Sequence, residues 1–277
     1  LEWTPYEITT FRQDGDYLNH RRPAQVAFVK SLREDLARRD FTVNAMAAGL
    51  GGELIDLFGG RADLKEQCLR SVGDPDKRFQ EDALRILRGL RFASQLGFSI
   101  EPETSAAMER NCGLLRCVSG ERVYVELTKF LTGEHAAEVL SRYGNILLPV
   151  LPEIGPAMGF LQKNPCHDRD VWDHTVRAIE LSVPDQIVRW TLLLHDLGKP
   201  DTFTVDDKGI GHFHGHPKRS AELAEQILSR LHVDNATRET VCELVLQHDA
   251  GAPVTRKVVR RWISRFGGER LRLLMQV

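Results

Sequence analysis

The chain has 277 residues, enough for one large domain or two to three smaller modules. Hydrophobic residues make up 42% and charged residues 27%, a globular balance with no apolar run near the roughly 20 residues that a membrane-spanning helix needs. A net charge of −2 supplies no global basic field, so a nucleic-acid partner would have to be held by local patches.

Residues 5–12 are rich in β-formers and read as a strand, followed by a turn-like Gln-Asp-Gly-Asp around Gly15. Residues 13–30 are polar and read as loop. Ser31, with Glu34 three residues on, forms a capping box, and the pattern after it predicts a helix over 31–49. Residues 53–58 read as a short strand ending at Gly59 and Gly60, which we expect to make a tight turn. Helices follow near 61–67, 78–96, 101–112, 120–131 and 134–143. Pro149, Pro152 and Pro156 punctuate a module boundary, and further helices are expected near 169–182, 184–198, 216–232, 235–248 and 253–266. This order predicts a segregated α+β protein, mostly α, with a strand-containing head over 1–60, a helical neck over 61–148 and a helical third module over 149–277. The five cysteines, Cys68, Cys112, Cys117, Cys166 and Cys242, are odd in number and form no Cys-x-x-Cys pair, which points to reduced thiols in a cytoplasmic compartment. The chain opens on Leu1 inside strand-like residues, so we expect further sequence upstream. The oligomeric state is left open.

The stretch 78–98 carries the most chemistry. On a helical wheel Phe79, Ala83, Ile86, Leu87 and Leu90 share an apolar face, while Arg78, Glu81, Asp82, Arg85, Arg88 and Arg91 spread over the other side. On one continuous helix Asp82 and Arg85 stand at i and i+3, with their tips side by side. An ionised Asp only accepts hydrogen bonds and an Arg only donates. Cytosine and adenine present an amino donor beside a ring-nitrogen acceptor, whereas guanine and uracil present a carbonyl beside an N–H. An Asp–Arg pair therefore suits C and A and leaves polar groups unsatisfied against G and U, at about 1–3 kcal/mol each. Arg88 and Arg91, further along, could hold a triphosphate. The alternative is a solvated helix laced with ion pairs.

Neighbouring motifs add a family resemblance. Residues 38–46, Arg-Arg-Asp-Phe-Thr-Val-Asn-Ala-Met, resemble the ribose- and phosphate-contacting motif of class II CCA-adding enzymes and bacterial poly(A) polymerases. Residues 56–64 resemble the next motif, Glu-Asp-Ala-Leu-Arg at 81–85 matches the nucleotide-reading motif, and residues 121–129 resemble the following neck motif. The resemblance implies the remnant of a polymerase-β-like nucleotidyltransferase palm, then a helical neck. It implies that Arg39 contacts ribose and phosphates with Asp40 nearby, that Asp82 and Arg85 read the base, and that Arg88 and Arg91 contact phosphate. An ion pair of Arg39 with Asp35 or Asp40 is the alternative, and for Asn44 a structural side-chain bond is as good as a direct role. Glu7 resembles the third acid of the family's Mg²⁺-holding set. The family's other two acids, an Asp-x-Asp on a strand after a Gly-Gly-x-x-Arg-Asp turn, have no counterpart here, so we expect no nucleotide transfer by these 277 residues alone.

The C-terminal half adds a second constellation. His174, then His195-Asp196, then His216, then His248 follow one another on or beside expected helices, in an order that resembles the HD superfamily of metal-dependent phosphohydrolases. Imidazoles and a carboxylate suit Mn²⁺, Ni²⁺, Fe²⁺ or Zn²⁺. His212 and His214 are further candidates, and Pro217, Lys218 and Arg219 would suit a phosphate-bearing ligand. The alternative is a set of polar helix ends. Arg256, Lys257, Arg260, Arg261 and Arg265 cluster on the last expected helix, as a tRNA contact or as a solvated face. The resemblance implies template-independent addition of C and A to the tRNA 3′ end from CTP and ATP with Mg²⁺, releasing pyrophosphate. A poly(A) polymerase, a CC- or A-adding enzyme, or an HD phosphohydrolase or phosphodiesterase remain alternatives. Much of the family's tail, which grips tRNA, would lie beyond Val277.

Overall fold

The computed structural model describes residues 10–14, 17–18, 22–23, 26–164 and 169–249, with positions 260, 263, 264, 268 and 272 beyond them. Glu7, Cys166 and most of the strand expected over 5–12 lie outside the described residues. So does the helix expected over 253–266, apart from 260, 263 and 264. Two compact units divide the chain: residues 1–89 with 98–118, and residues 90–97 with 119–277.

In the first unit Arg12–Asp14 (β1) pairs antiparallel with Val26–Phe28 (β4), and Tyr17–Leu18 (β2) with Arg22–Pro23 (β3). The span 13–30, read as loop, therefore carries two antiparallel strand pairs among its described residues. Each strand is two or three residues long, too short for a period-two pattern to register. Leu32–Ala37 (α1) starts where the capping box places it, with Ser31 Oγ accepting from the Glu34 N–H at 3.4 Å. It does not run on to 49. Thr42–Asn44 is a 3-10 turn, and Met46–Ala48 (β5) pairs antiparallel with Leu54–Asp56 (β6). The cause is a distant backbone partner. Thr42 N–H donates to the Arg70 carbonyl and Val72 N–H to that of Asp40, so residues 40–42 cannot also join a helical ladder. Leu36, Ala45 and Val72 form a small core here, with Leu32, Ala47 and Phe58 packed on it.

Asp35 ties this region to the chain before it. Its carboxylate lies 2.6 Å from Arg38 and 3.4 Å from Arg39, and accepts from the Arg12 N–H. Burial pushes the Asp35 carboxyl up, but the bonds from Arg38, Arg12 and Arg39 outweigh it and hold it below the ordinary value. A depressed carboxyl stabilises the fold above the unfolded pKa of about 3.9 and loses that contribution as pH falls through the lower folded value. Asp35→Asn is therefore expected to be less stable at pH 7 and to show a shallower acid limb, measured as urea midpoints from pH 7 to pH 2.5.

Gly60–Lys65 (α2) follows β6 through the expected tight turn. Gly59 has φ +79°, and a Cβ on Gly60 would sit 2.3 Å from the Thr42 carbonyl oxygen. The Asp56 carboxylate accepts from the N–H groups of Gly60 and Arg61, both at 2.9 Å. Cys68–Leu69 (β7) pairs in parallel with Ser99–Ile100 (β8). The helix expected over 78–96 is two helices, Pro75–Glu81 (α3) and Leu84–Leu96 (α4), broken at Asp82, whose φ of −136° and ψ of 103° are extended. Asp82 Oδ1 accepts from the Leu84 N–H at 3.1 Å, so Asp82 caps α4 rather than riding on it. The apolar face survives the break: Phe79, Ala83, Ile86, Leu87 and Leu90 are all buried. Pro102–Asn111 (α5) packs against α3, where Arg110 and Asn111 both reach Asp76.

The second unit holds the last turns of α4 and then Gly120–Leu131 (α6), Ala136–Tyr143 (α7), Val171–Leu181 (α8), Gln186–Leu194 (α9) and Lys199–Thr202 (α10). Thr204–Val205 (β9) and Gly211–His212 (β10) form an antiparallel pair, and His216–Arg230 (α11) and Asn235–Gln247 (α12) complete the unit. Asp170, Asp185 and Asp234 cap α8, α9 and α12 through their side chains. Residues 188–194 of α9 are buried on every side, so α9 is the central helix, touched by α6, α8, α11 and α12. Among the described residues no helix is long and apolar enough to cross a membrane, and Cys68, Cys112, Cys117 and Cys242 are free thiols.

Candidate functional site

In the first unit the motif residues 38–40, 81–82, 85 and 88 come together. Asp40 is 7% exposed. One of its oxygens accepts from the Asn44 amide and the other lies 2.6 Å from the Arg88 guanidinium. Arg39 is more open. It donates to the Asn44 carbonyl and stands 3.4 Å from Asp35, the ion pair named above as its alternative. Arg85 is buried and donates to Glu81 at 2.9 Å, to the Arg78 carbonyl at 3.1 Å and to the Arg38 carbonyl at 2.6 Å. Arg85 thus fastens the start of α4 to the 38–40 segment, with Glu81 holding both Arg78 and Arg85. Asp82 and Arg85 are not one turn apart on a continuous helix, because the break falls on Asp82 itself. Arg91 belongs to the second unit, where its guanidinium is buried 2.9 Å from Glu126 of α6.

In the second unit four helices deliver imidazoles around one carboxylate. His174 comes from α8, His195 from the end of α9, His216 from the start of α11 and His248 from the end of α12. Asp196 is 2% exposed and sits at their centre. Its Oδ2 lies 3.3 Å from His195 Nε2 and 3.6 Å from His174 Nε2, and its Oδ1 lies 3.4 Å from His216 Nε2 and 3.6 Å from His248 Nε2. The ring orientations are set from behind. Nδ1 of His195, His216 and His248 faces the carbonyls of Leu192, Phe213 and Val245 at 2.7, 2.9 and 2.6 Å. A carbonyl only accepts, so each Nδ1 carries a hydrogen and each Nε2 is the ring atom turned inward to Asp196. His216 and His248 meet Nε2 to Nε2 at 3.2 Å, a contact that needs a proton or a metal ion between them.

The donor set fits a divalent metal. Neither Asp196 oxygen receives a hydrogen bond although both are fully buried. Ligand spacings of 3.2–3.6 Å match the edges around an ion with bonds of about 2.1 Å. Two groups each bring three donor atoms close enough together to share one ion, His174 with His195 and Asp196, and Asp196 with His216 and His248. Burial pushes the Asp196 carboxyl up, and the imidazoles around it overcome this and hold it well below the usual carboxylate range. A cavity of about 340 Å³ opens over the cluster, lined also by Lys199, His212, Phe213 and His214. His212 and His214 stay out of the ligand groups: His212 pairs with Asp206 at 3.0 Å and stacks on His214. Arg219 is held by Asp201 at 2.7 Å. Of the basic cluster on the last expected helix, Arg260 is helical and exposed, and the other four members lie outside the described residues.

Residues 2–70 match the family model of the poly A polymerase head domain, residues 97–158 that of the probable RNA and SrmB-binding site of polymerase A, and residues 170–272 the HD domain. The CCA-adding enzyme of Geobacillus thermodenitrificans is 44% identical over 203 residues, spanning 71% of this chain and 46% of that one. That of Enterococcus faecalis is 43% identical over 73% of this chain and 47% of its own. The solved structure of the Bacillus stearothermophilus CCA-adding enzyme in complex with CTP superposes over 97% of this chain and 57% of that one, with a TM-score of 0.67 and 28% identity. The chain belongs to the class II CCA-adding enzyme family. It spans about half the length of these curated relatives.

Bare Asp-x-Asp spacings do occur in this family member, at 14–16, 74–76 and 168–170, none of them after Gly-Gly-x-x-Arg-Asp. The described ones have structural work: Asp74 caps α3, Asp76 holds Arg110, and Asp170 caps α8. The residue that sequence reasoning missed is Lys199. Its Nζ lies 2.8 Å from Asp196 Oδ2 at 5% exposure, and the only signal was its place three residues after Asp196. Gly198 between them is required for space. A Cβ there would stand 2.6 Å from Ser220 N and 2.7 Å from the His216 carbonyl oxygen, both backbone atoms. Gly198→Ala should lower stability by about 1–3 kcal/mol through overpacking and weaken metal binding by moving His216. A thermal melt and an Mn²⁺ titration check this.

Proposed function

We propose that the protein to which this chain belongs adds C and A nucleotides to the tRNA 3′ end from CTP and ATP, without a template, releasing pyrophosphate. The observation that carries the reading is the Arg38–Asp40 segment clasped to the Glu81–Arg88 segment by Arg85 and Arg88. In this reading Arg39, Asp40 and Arg88 face the ribose and phosphates, and Asp82 and Arg85 face the base edge. Arg91, turned to Glu126, supports α4 instead. Glu7 is assigned to the Mg²⁺-holding acids of the transfer site, and tRNA is held by neck and body. Such a tRNA substrate places the protein in the cytoplasm. Relatives whose solved structures hold CTP support the nucleotide class. Calorimetric titration of the chain with CTP, ATP, GTP and UTP tests it: CTP and ATP should bind several-fold tighter, and equal affinity for all four would remove the base-reading assignment.

The second unit favours a second reading, a metal-dependent phosphohydrolase or phosphodiesterase carried on the same chain. Its support is the His174, His195, Asp196, His216 and His248 cluster beneath an open cavity. Mn²⁺, Ni²⁺, Fe²⁺ or Zn²⁺ suits these donors, and when bound would polarise a phosphate and lower the pKa of a bound water. The chain's own part is to hold three rings with Nε2 inward and to keep Asp196 ionised. Chelator-sensitive hydrolysis of phosphate esters, lost in the His195→Ala, Asp196→Ala double variant, checks this reading.

A further inference from the structure

Lys199 is a buried cation that neither proposed activity uses. It opens α10, its ammonium lies 2.8 Å from Asp196 Oδ2, and the Phe213 ring centroid is 5.4 Å away. The direction of its hydrogen bond is informative. Nζ donates to the Gln162 side-chain oxygen at 3.0 Å, while neither Asp196 oxygen receives a hydrogen bond from any neighbour. A buried carboxylate without a cation is costly. Here the charge is balanced by proximity, and the oxygen lone pairs are left open toward His174 and His195 on one side and His216 and His248 on the other.

We propose that Lys199 is the built-in counter-cation of the metal-free site: it keeps Asp196 charge-balanced without occupying its lone pairs, and it limits metal affinity by opposing the incoming dication. The inference rests on the reading of this cluster as a metal centre. Two like charges on one carboxylate in a poorly solvated pocket repel, so the ammonium that stabilises the empty site weakens the filled one. A residue that merely supports the carboxylate would act the other way, because losing a partner of a metal ligand typically lowers affinity by about 10–100-fold. The sign of the change therefore separates the two roles, and Lys199 is a positioning residue with a measurable direction.

The test uses the full chain after chelator treatment, with Lys199→Gln, Asp196→Asn and the double variant, melted without metal and, for wild type and Lys199→Gln, titrated with Mn²⁺ and with Zn²⁺. Without metal, each single variant leaves one buried charge unbalanced and melts lower than wild type, and the double variant melts above both singles. Lys199→Gln binds Mn²⁺ and Zn²⁺ more tightly than wild type, by about tenfold or more, the scale on which partners of metal ligands act. If Lys199→Gln does not fold, recovery of a folded double variant carries the same message. Additive losses in the double variant, or unchanged or weaker metal binding by Lys199→Gln, overturn the proposal. Wild type that binds neither metal removes the metal reading itself, a failure distinct from a wrong sign in Lys199→Gln.

Discussion

Asp196→Ala is expected to strip the purified protein of bound metal. Asp196 is the one residue common to both ligand groups, so its loss breaks the His174–His195 side and the His216–His248 side together. The affinity loss should exceed the roughly 10–100-fold that accompanies removal of a ligand's supporting partner. Stability falls as well, because Lys199 at 5% exposure is left as a buried cation facing no anion, and stranding one member of a buried pair costs about 3–5 kcal/mol. Asp196→Asn is the cleaner variant: the amide keeps the shape of the carboxylate, so both losses then follow from its charge and not from an emptied volume. Elemental analysis of wild type, Asp196→Asn and His195→Ala, all folded by circular dichroism, decides the matter. Equal metal content in the three would remove the metal centre, whereas loss in both variants with His212→Ala unchanged would assign it to the inner ligands. His212 is the right control because it lines the same cavity yet is taken by Asp206.

The His–Asp cluster was legible as a group because its chemistry is carried by residue type. An adjacent His-Asp after an apolar run places both at the end of a buried helix. Most helices were legible from their apolar repeats, and the structure adds side-chain caps that were not singled out in the sequence: Asp170, Asp185 and Asp234 on α8, α9 and α12. The misreadings share a different cause. Residues 38–49 have helical composition, yet Thr42 and Asp40 give their backbone groups to Arg70 and Val72, partners no local pattern reveals. The strands between Arg12 and Phe28 exist through pairing alone. Lys199 reads as an ordinary helix-start lysine until the fold sets it beside Asp196, and Arg219, read as a phosphate ligand, turns to Asp201.

The break at Asp82 changes what a test of base reading should be. On an unbroken helix Asp82→Ala would only remove an acceptor. As the cap of α4, Asp82 accepts from the Leu84 N–H, so alanine also costs about 1 kcal/mol of helix stability. Arg85 is a poorer probe still, because its guanidinium joins Glu81, Arg78 and Arg38, and truncation would loosen the whole clasp. Asp82→Asn is the discriminating change. Asparagine caps a helix about as well as aspartate, so the melting temperature should stay within a degree or two. Its side chain, however, presents an amide donor as well as an acceptor, and can satisfy the carbonyl of uracil or guanine. Wild type should favour CTP over UTP by at least the factor that one unsatisfied buried group sets, about 1–3 kcal/mol, or roughly 5- to 150-fold. Asp82→Asn should narrow that ratio, mainly by tightening UTP, while Arg85 still opposes the ring N–H of uracil, with ATP against GTP moving the same way. Isothermal titration of the four nucleotides against both proteins reads the ratios directly. An undiminished preference for CTP in Asp82→Asn, or a bound cytosine lying away from residues 82 and 85 in a crystal of the complex, would place base selection elsewhere in the head.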